Sequence, residues 1–174
     1  MSKDHPHAEW SGAMFGLLRD AGIGLFTHVP DAGNDCLISL AEEHNDTRAV
    51  LLTTEEEGVA ICAGADLAGE RAILCMQSSG LGNCPNYLSL VKGARFPLLM
   101  MISMRGDYGE QNPWQYPMGL AVEPILEAMD VLVFKVDRRD ELEQATTAAI
   151  NATGRGKQAA AIVLTQKFLG AKGF

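Results

Sequence analysis

Helix-patterned and strand-patterned segments alternate along all 174 residues of this chain. That alternation predicts an α/β fold: a single three-layer α/β/α domain around a six-stranded, mainly parallel sheet. Two further observations agree. The strand candidates are continuous apolar runs, as expected of strands covered on both faces. The length suits one domain, and a hydrophobic content of 47% suits a chain that buries a real core. No charge block, low-complexity run or internal repeat interrupts the pattern.

The elements follow in order. Residues 8–21 place Trp10, Met14, Leu17 and Leu18 on one helical face, with Gly22 as C-cap. Ile23 to Val29 reads as a strand that breaks at Pro30. Asp31 is placed to cap a helix over roughly 32–45. Ala49 to Leu52 reads as a short buried strand. A helix of small residues runs from about 55 to 68 and ends near Gly69. Ala72 to Met76 is a strand, and a glycine turn follows at Gly80-Leu81-Gly82-Asn83. Asn83 to Gly93 reads as a helix with Pro85 in its first turn. Pro97 to Ser103 is a strong strand. An irregular stretch from Met104 to about Gly119 is long enough to suggest function. A helix over 120–129, a strand from Val131 to Val136, a helix over 139–152 capped by Asp137 and a strand from Ala159 to Thr165 complete the domain. Residues 1–7 read as a flexible N-terminus, 8–168 as the domain and 169–174 as a polar tail.

Composition narrows the function classes. A net charge of -8 argues against nucleic acid, which selects basic surfaces. The longest apolar run, Phe96 to Ser103, is too short to span a bilayer. The opening Met-Ser-Lys-Asp-His-Pro-His does not read as a signal peptide. Four cysteines without a C-x-x-C pair read as buried free thiols in the cytoplasm, and no zinc spacing occurs. No G-x-S-x-G elbow supports a hydrolase.

In a parallel sheet, ligands gather at the carboxyl ends of the strands. The polar and glycine-rich features converge on that edge: Pro30-Asp31, Thr53 to Glu55, Gln77 to Asn83, Met104-Arg105 and Asp137. Glu55, Glu56 and Glu57 open the small-residue helix. Carboxylates there stabilise a helix by roughly 0.3–1 kcal/mol each, yet three in a row exceed what capping needs. Successive helical residues point about 100° apart, so one or two at most share a pocket. Gly80-Leu81-Gly82-Asn83 is either a cradle for an anion or a tight strand-to-helix turn. Arg105, just past an apolar strand, is a candidate for gripping an anion through its planar fork. His28, at the end of the first strand, reads first as a hydrogen-bonded structural histidine and second as a catalytic one.

These residues resemble the pyrimidine-binding domain of thiamine-diphosphate enzymes, in the branch of the sulfopyruvate and phosphonopyruvate decarboxylases. The resemblance rests on Val29-Pro30-Asp31, Glu55-Glu56-Glu57-Gly58 with Gly64 nine positions after Glu55, Met76-Gln77-Ser78-Ser79-Gly80-Leu81-Gly82-Asn83, Met104-Arg105-Gly106 and Pro117-Met118-Gly119. It covers nearly the whole chain. Ala65 departs from the tyrosine often found after that glycine, and the loop Ala68-Gly69-Glu70-Arg71 is shorter than the family norm.

The resemblance implies a mechanism. A glutamate hydrogen-bonds the cofactor's aminopyrimidine and favours the imino tautomer that deprotonates the thiazolium, which then attacks a 2-oxo acid and releases carbon dioxide. Counting back from Gly64 assigns this role to Glu55, with Glu56 as the alternative register. Pro30, Gln77, Ser79, Gly80, Gly82 and Asn83 are implied around the cofactor, and Asp31 and Arg105 toward the substrate, with no metal ligand in this chain. The family holds Mg2+ and the diphosphate through a Gly-Asp-Gly…Asn motif on a second domain, and this chain has no Gly-Asp-Gly. The implied protein is therefore an α subunit that forms a hetero-oligomer with a β subunit carrying that domain. The implied reaction converts 3-sulfopyruvate to sulfoacetaldehyde and carbon dioxide. A phosphonopyruvate or other 2-oxo-acid decarboxylase subunit is the near alternative, and a non-catalytic regulatory subunit the far one.

Overall fold

The computed structural model describes residues 6–171, so most of the expected N-terminal arm and the end of the expected tail lie outside the described residues. Six strands form one sheet: β1 Ile23–His28, β2 Arg48–Leu51, β3 Arg71–Gln77, β4 Leu98–Ser103, β5 Leu132–Val136 and β6 Ala159–Leu164. Their order is β2-β1-β3-β4-β6-β5. Every pairing is parallel, so the sheet is wholly rather than mainly parallel.

Helices cover both faces. α1 (Ala8–Asp20), α2 (Asp35–Glu43) and α7 (Leu142–Gly154) pack on one side; α3 (Glu55–Leu67), α5 (Pro85–Ala94) and α6 (Tyr116–Ala128) pack on the other. Two short helices, α4 (Ser78–Leu81) and α8 (Gln166–Leu169), sit directly after β3 and β6. The strands supply both cores by alternation. Ile73 and Cys75 face the α1 side while Leu74 and Met76 face the α3 side; Ile162 and Val163 divide in the same way. All of β4 and β6 is buried, which is why their sequences read as unbroken apolar runs. Each large side chain buried in this way contributes about 1.5–3 kcal/mol.

Glycine and proline set several boundaries as the sequence implies. Gly22, at φ +78°, follows the end of α1 and its N–H bonds to Arg19. Pro85 is the first residue of α5, where a missing N–H loses no partner.

Other expectations need correction. β2 is not buried: Arg48 and Leu51 are exposed and Ala49 and Val50 half-buried, because the strand lies at the sheet edge beside β1 alone. Asp31 does not cap α2. Asn34 holds that position, and the Asp31 carboxylate turns toward the other strand ends. The glycine turn is tighter than expected, since Ser78–Leu81 already wind into α4. The irregular stretch after β4 ends early: a 3-10 turn at Pro113–Gln115 leads into α6 at Tyr116, with Pro117 in its first turn. Asp137 is not a cap either. Glu141 accepts from the N–H groups of Asp137 and Arg138 at 2.8 and 3.0 Å. His28 is buried, but its Nδ1 has no described partner, and desolvation holds the imidazole below its ordinary pKa. No helix among the described residues is long and apolar enough to cross a membrane.

Candidate active site at the carboxyl edge of the sheet

Gly58 seats α3 directly on the sheet. A Cβ there would lie 2.4 Å from Leu74 and 2.9 Å from Leu52. Glu55, one turn earlier on the same helical face, is thereby turned inward. It is 8% exposed. Its Oε2 accepts from Asn83 Nδ2 at 2.8 Å. A Cβ on Gly80 would come within 2.3 Å of Oε1, so glycine at that position makes room for the carboxyl group. The other two glutamates serve the start of the helix. Glu57 Oε2 accepts from the Thr53 N–H at 2.9 Å, and Glu56 accepts from the Thr54 hydroxyl. The buried Cys84 thiol is pushed up to about 12, by desolvation first and then by the charges of Glu55 and Glu56. Gly82 is closed over by Met118 from the first turn of α6, whose Sδ would lie 3.2 Å from a Cβ at Gly82.

The strand order reverses between β1 and β3, the kind of crevice where open α/β sheets bind ligands. A hydrogen-bond string crosses it. Ser79 Oγ donates to Gln77 Oε1 at 2.8 Å, and Gln77 Nε2 donates to Asp31 Oδ1 at 2.8 Å. Ser103 Oγ donates to Asp31 Oδ2 at 2.6 Å, and the Gly33 N–H donates to the same oxygen at 2.8 Å. Ser103, 1% exposed, is a site residue that the sequence reading missed. It ends a strand of apolar residues, which is the available signal for it.

Arg105 is committed more firmly than a surface anion grip. Its Nε donates to Glu110 Oε2 at 2.5 Å and its Nη2 to Glu110 Oε1 at 2.7 Å. This bidentate pair is buried, with side chains 13% and 0% exposed. Glu110 also accepts from the N–H groups of Gly106, Gln111 and Asn112 and from Gln166 Nε2. The guanidinium and these donors hold its carboxyl far below the usual carboxylate range. Gln166 accepts in turn from the N–H groups of Asp107 and Tyr108. Glu110 and Gln166 were also missed. Their partners lie on different strand-end loops, and only the carboxylate five residues after Arg105 hinted at the pair.

The predicted residues thus form two linked groups. Glu55, Gly80, Gly82 and Asn83 cluster at the start of α3. Asp31, Ser103 and Arg105 line a cavity of about 320 Å3 together with Gly33, Leu169 and Gly170. Gln77 and Ser79 bridge the groups, and Pro30 is exposed beside them. Among the described residues, no group of three or more metal-ligating side chains comes together. The first group presents one buried carboxylate, held by Asn83 against the Gly80 backbone, a group able to hydrogen-bond a ring nitrogen.

No protein-family model matches the chain. The chain is 36% identical over 146 residues to the sulfopyruvate decarboxylase subunit alpha of Methanococcus maripaludis, covering 81% of this chain and 87% of that one. The sulfopyruvate decarboxylase of Methanosarcina acetivorans is 38% identical over 112 residues, which cover 64% of this chain but 28% of that longer one. A phosphonopyruvate decarboxylase from Streptomyces viridochromogenes is 34% identical over 134 residues, 75% of this chain and 34% of that one. Among solved structures, a 2-oxoglutarate:ferredoxin oxidoreductase from Magnetococcus marinus superposes on 92% of this chain and 29% of its own, with a TM-score of 0.70 at 18% identity; the two share a fold. On sequence identity across most of both chains, this protein belongs to the family of sulfopyruvate decarboxylase alpha subunits.

Proposed function

We propose that this chain is the α subunit of a cytoplasmic, thiamine-diphosphate-dependent decarboxylase that converts 3-sulfopyruvate to sulfoacetaldehyde and carbon dioxide. The observation that supports the reading is the buried Glu55 carboxylate, held by Asn83 and lying against Gly80 so closely that only glycine is accommodated there. When bound, thiamine diphosphate supplies the electron-accepting ring that decarboxylation of a 2-oxo acid requires. Glu55 would hold the aminopyrimidine and exchange a proton with its ring nitrogen. Gly80, Gly82 and Asn83 would shape the slot, with Gln77, Ser79 and Pro30 beside it. A separate β subunit would supply Mg2+ and the diphosphate site.

Asp31 and Arg105 would face the substrate from the 320 Å3 cavity. Glu110 takes the Nε N–H and one Nη2 N–H of Arg105, so the second Nη2 N–H and the two of Nη1 are left for an oxyanion. The same group would accept a phosphonate, and that substrate belongs in the test. The experiment is decarboxylation of 3-sulfopyruvate and phosphonopyruvate by the chain co-purified with its β subunit, with thiamine diphosphate and Mg2+. Carbon dioxide release that needs both chains and the cofactor is expected, with 3-sulfopyruvate preferred. An intact complex inactive on either acid would overturn the reading and leave a non-catalytic subunit.

A further inference from the structure

We infer that Glu110 is a positioning residue that sets the charge of the anion taken at Arg105, selecting a monoanionic sulfonate over a dianionic phosphonate; the inference rests on the substrate reading above. The shape of the fork does not separate the two acids, because both carry a tetrahedral oxyanion. The charge around the fork does. Arg105 is the one lysine or arginine among the described residues that line the 320 Å3 cavity, and Asp31 lines it as well, beside His7. Glu110 lies against the guanidinium through two hydrogen bonds, with its side chain wholly buried. Water screens such a pair little. The fork therefore offers the cavity three N–H groups but almost no net positive charge. Asp31 adds a negative one, close enough to act on Arg105.

The surrounding groups fix this balance. Glu110 accepts from the N–H groups of Gly106, Gln111 and Asn112 and from Gln166 Nε2, besides Arg105. Those donors hold its carboxyl far below the usual carboxylate range, so it stays charged wherever a phosphonate titrates. The charged side chains on the neighbouring loop do not restore the positive charge. Asp107 accepts from the Gln166 N–H at 3.2 Å, and Lys167 is engaged with Asp137 at 3.3 Å.

A sulfonate carries one negative charge at every pH of interest. A phosphonate takes its second near pH 6, as a phosphate monoester does. The monoanion can use the hydrogen bonds of a neutralised fork. The dianion brings a further charge that the fork does not match and that Glu110 and Asp31 repel. Repelling a competitor is one of the two ways in which a site gains specificity. In the wild-type complex, the ratio of kcat/KM for phosphonopyruvate to that for 3-sulfopyruvate should therefore fall about 50-fold from pH 6 to pH 8, following the share of phosphonate monoanion. Enzyme titrations common to both acids cancel in this ratio. Glu110→Gln keeps the size of the side chain and one acceptor but removes the charge. At pH 8 it should raise the ratio by about 10-fold or more and flatten its dependence on pH. Loosening of the fork lowers both acids and drops out.

The test uses the full chain in complex with its β subunit, with thiamine diphosphate and Mg2+, and reads carbon dioxide release from each acid between pH 6 and pH 8. A melting curve reports whether Glu110→Gln is folded; if it is not, the wild-type pH series carries the test alone. Binding of 3-sulfopropanoate and 3-phosphonopropanoate, which lack the 2-oxo group, gives the same comparison by calorimetry. A phosphonate-to-sulfonate ratio that is flat with pH in the wild type would overturn the inference. So would a folded Glu110→Gln complex whose ratio at pH 8 equals that of the wild type. A complex that decarboxylates neither acid, yet binds the sulfonate analogue in preference to the phosphonate one by a margin that Glu110→Gln removes, would sink the proposed reaction and leave the charge selection standing.

Discussion

Glu55, Glu56 and Glu57 have the same side chain and three different surroundings. One is buried against Gly80 and Asn83, one takes a threonine hydroxyl, and one takes a backbone N–H. The difference is helical geometry, and it yields a direct comparison. Glu55→Gln keeps the shape and removes the titrating group, so turnover of the assembled enzyme should fall by about 10²–10⁴-fold. Glu56→Gln and Glu57→Gln should keep turnover and lose at most about 1 kcal/mol of stability, readable by urea unfolding. Gly80→Ala tests the room beside the carboxylate. Its methyl collides with Glu55, and overpacking of this kind costs about 1–3 kcal/mol; activity should fall with Glu55 still present. Glu55 and Gly80 were picked out through the family resemblance and the count back from Gly64, and their contact joins a helix start to a strand end that local patterns do mark. Ser103, Glu110 and Gln166 were not, because what gives them meaning is a partner on another strand.

At the scale of elements, the loop after β4 is pinned rather than loose. Glu110 ties Arg105, three backbone N–H groups and Gln166 into one knot. Removing one member of a buried ion pair strands the other, so Glu110→Ala should cost about 3–5 kcal/mol, and replacing both partners with leucine should recover little of it, because three backbone N–H groups and Gln166 still lose their acceptor. The pH dependence has a definite sign. The folded Glu110 carboxyl lies below its unfolded value of about 4.3. Its contribution is therefore full above that value and is lost as pH falls toward the folded one. The stability gap between wild type and Glu110→Gln should be constant from about pH 8 to 5.5 and close in stronger acid. The sequence placed the start of α6 too late because Trp114, Tyr116 and two prolines read as loop, although proline is welcome in a first helical turn. β2 was read as buried because its apolar letters match those of a central strand, and no local pattern says that a strand will lie at the edge.

For the whole molecule, the α/β alternation sufficed to predict a parallel sheet, because period and run length are local properties. Strand order depends on which crossovers turn outward and is not local, yet it is the order that brings Asp31 and Gln77 together. All four cysteines are buried thiols, and they sample both faces of the sheet. Desolvation pushes Cys36 up to about 11 and Cys62 and Cys84 up to about 12. Alkylation at pH 8 should therefore be slow at every cysteine and speed up together at the denaturant concentration that unfolds the chain, as counted by intact mass. Early reaction of Cys62 or Cys84 alone would show instead that the α3 side opens separately.

The string from Ser79 through Gln77 to Asp31 also has a polarity. Each proton in it points toward Asp31, so Ser79 offers lone pairs at its outer end. An amide at position 31 would present N–H to Gln77 where an oxygen now stands. Gln77 would have to rotate by half a turn, and Ser79 would then accept from it and aim its own proton outward. A single-atom exchange beneath the crevice would thus be read at its mouth as a change from acceptor to donor, with no backbone movement between.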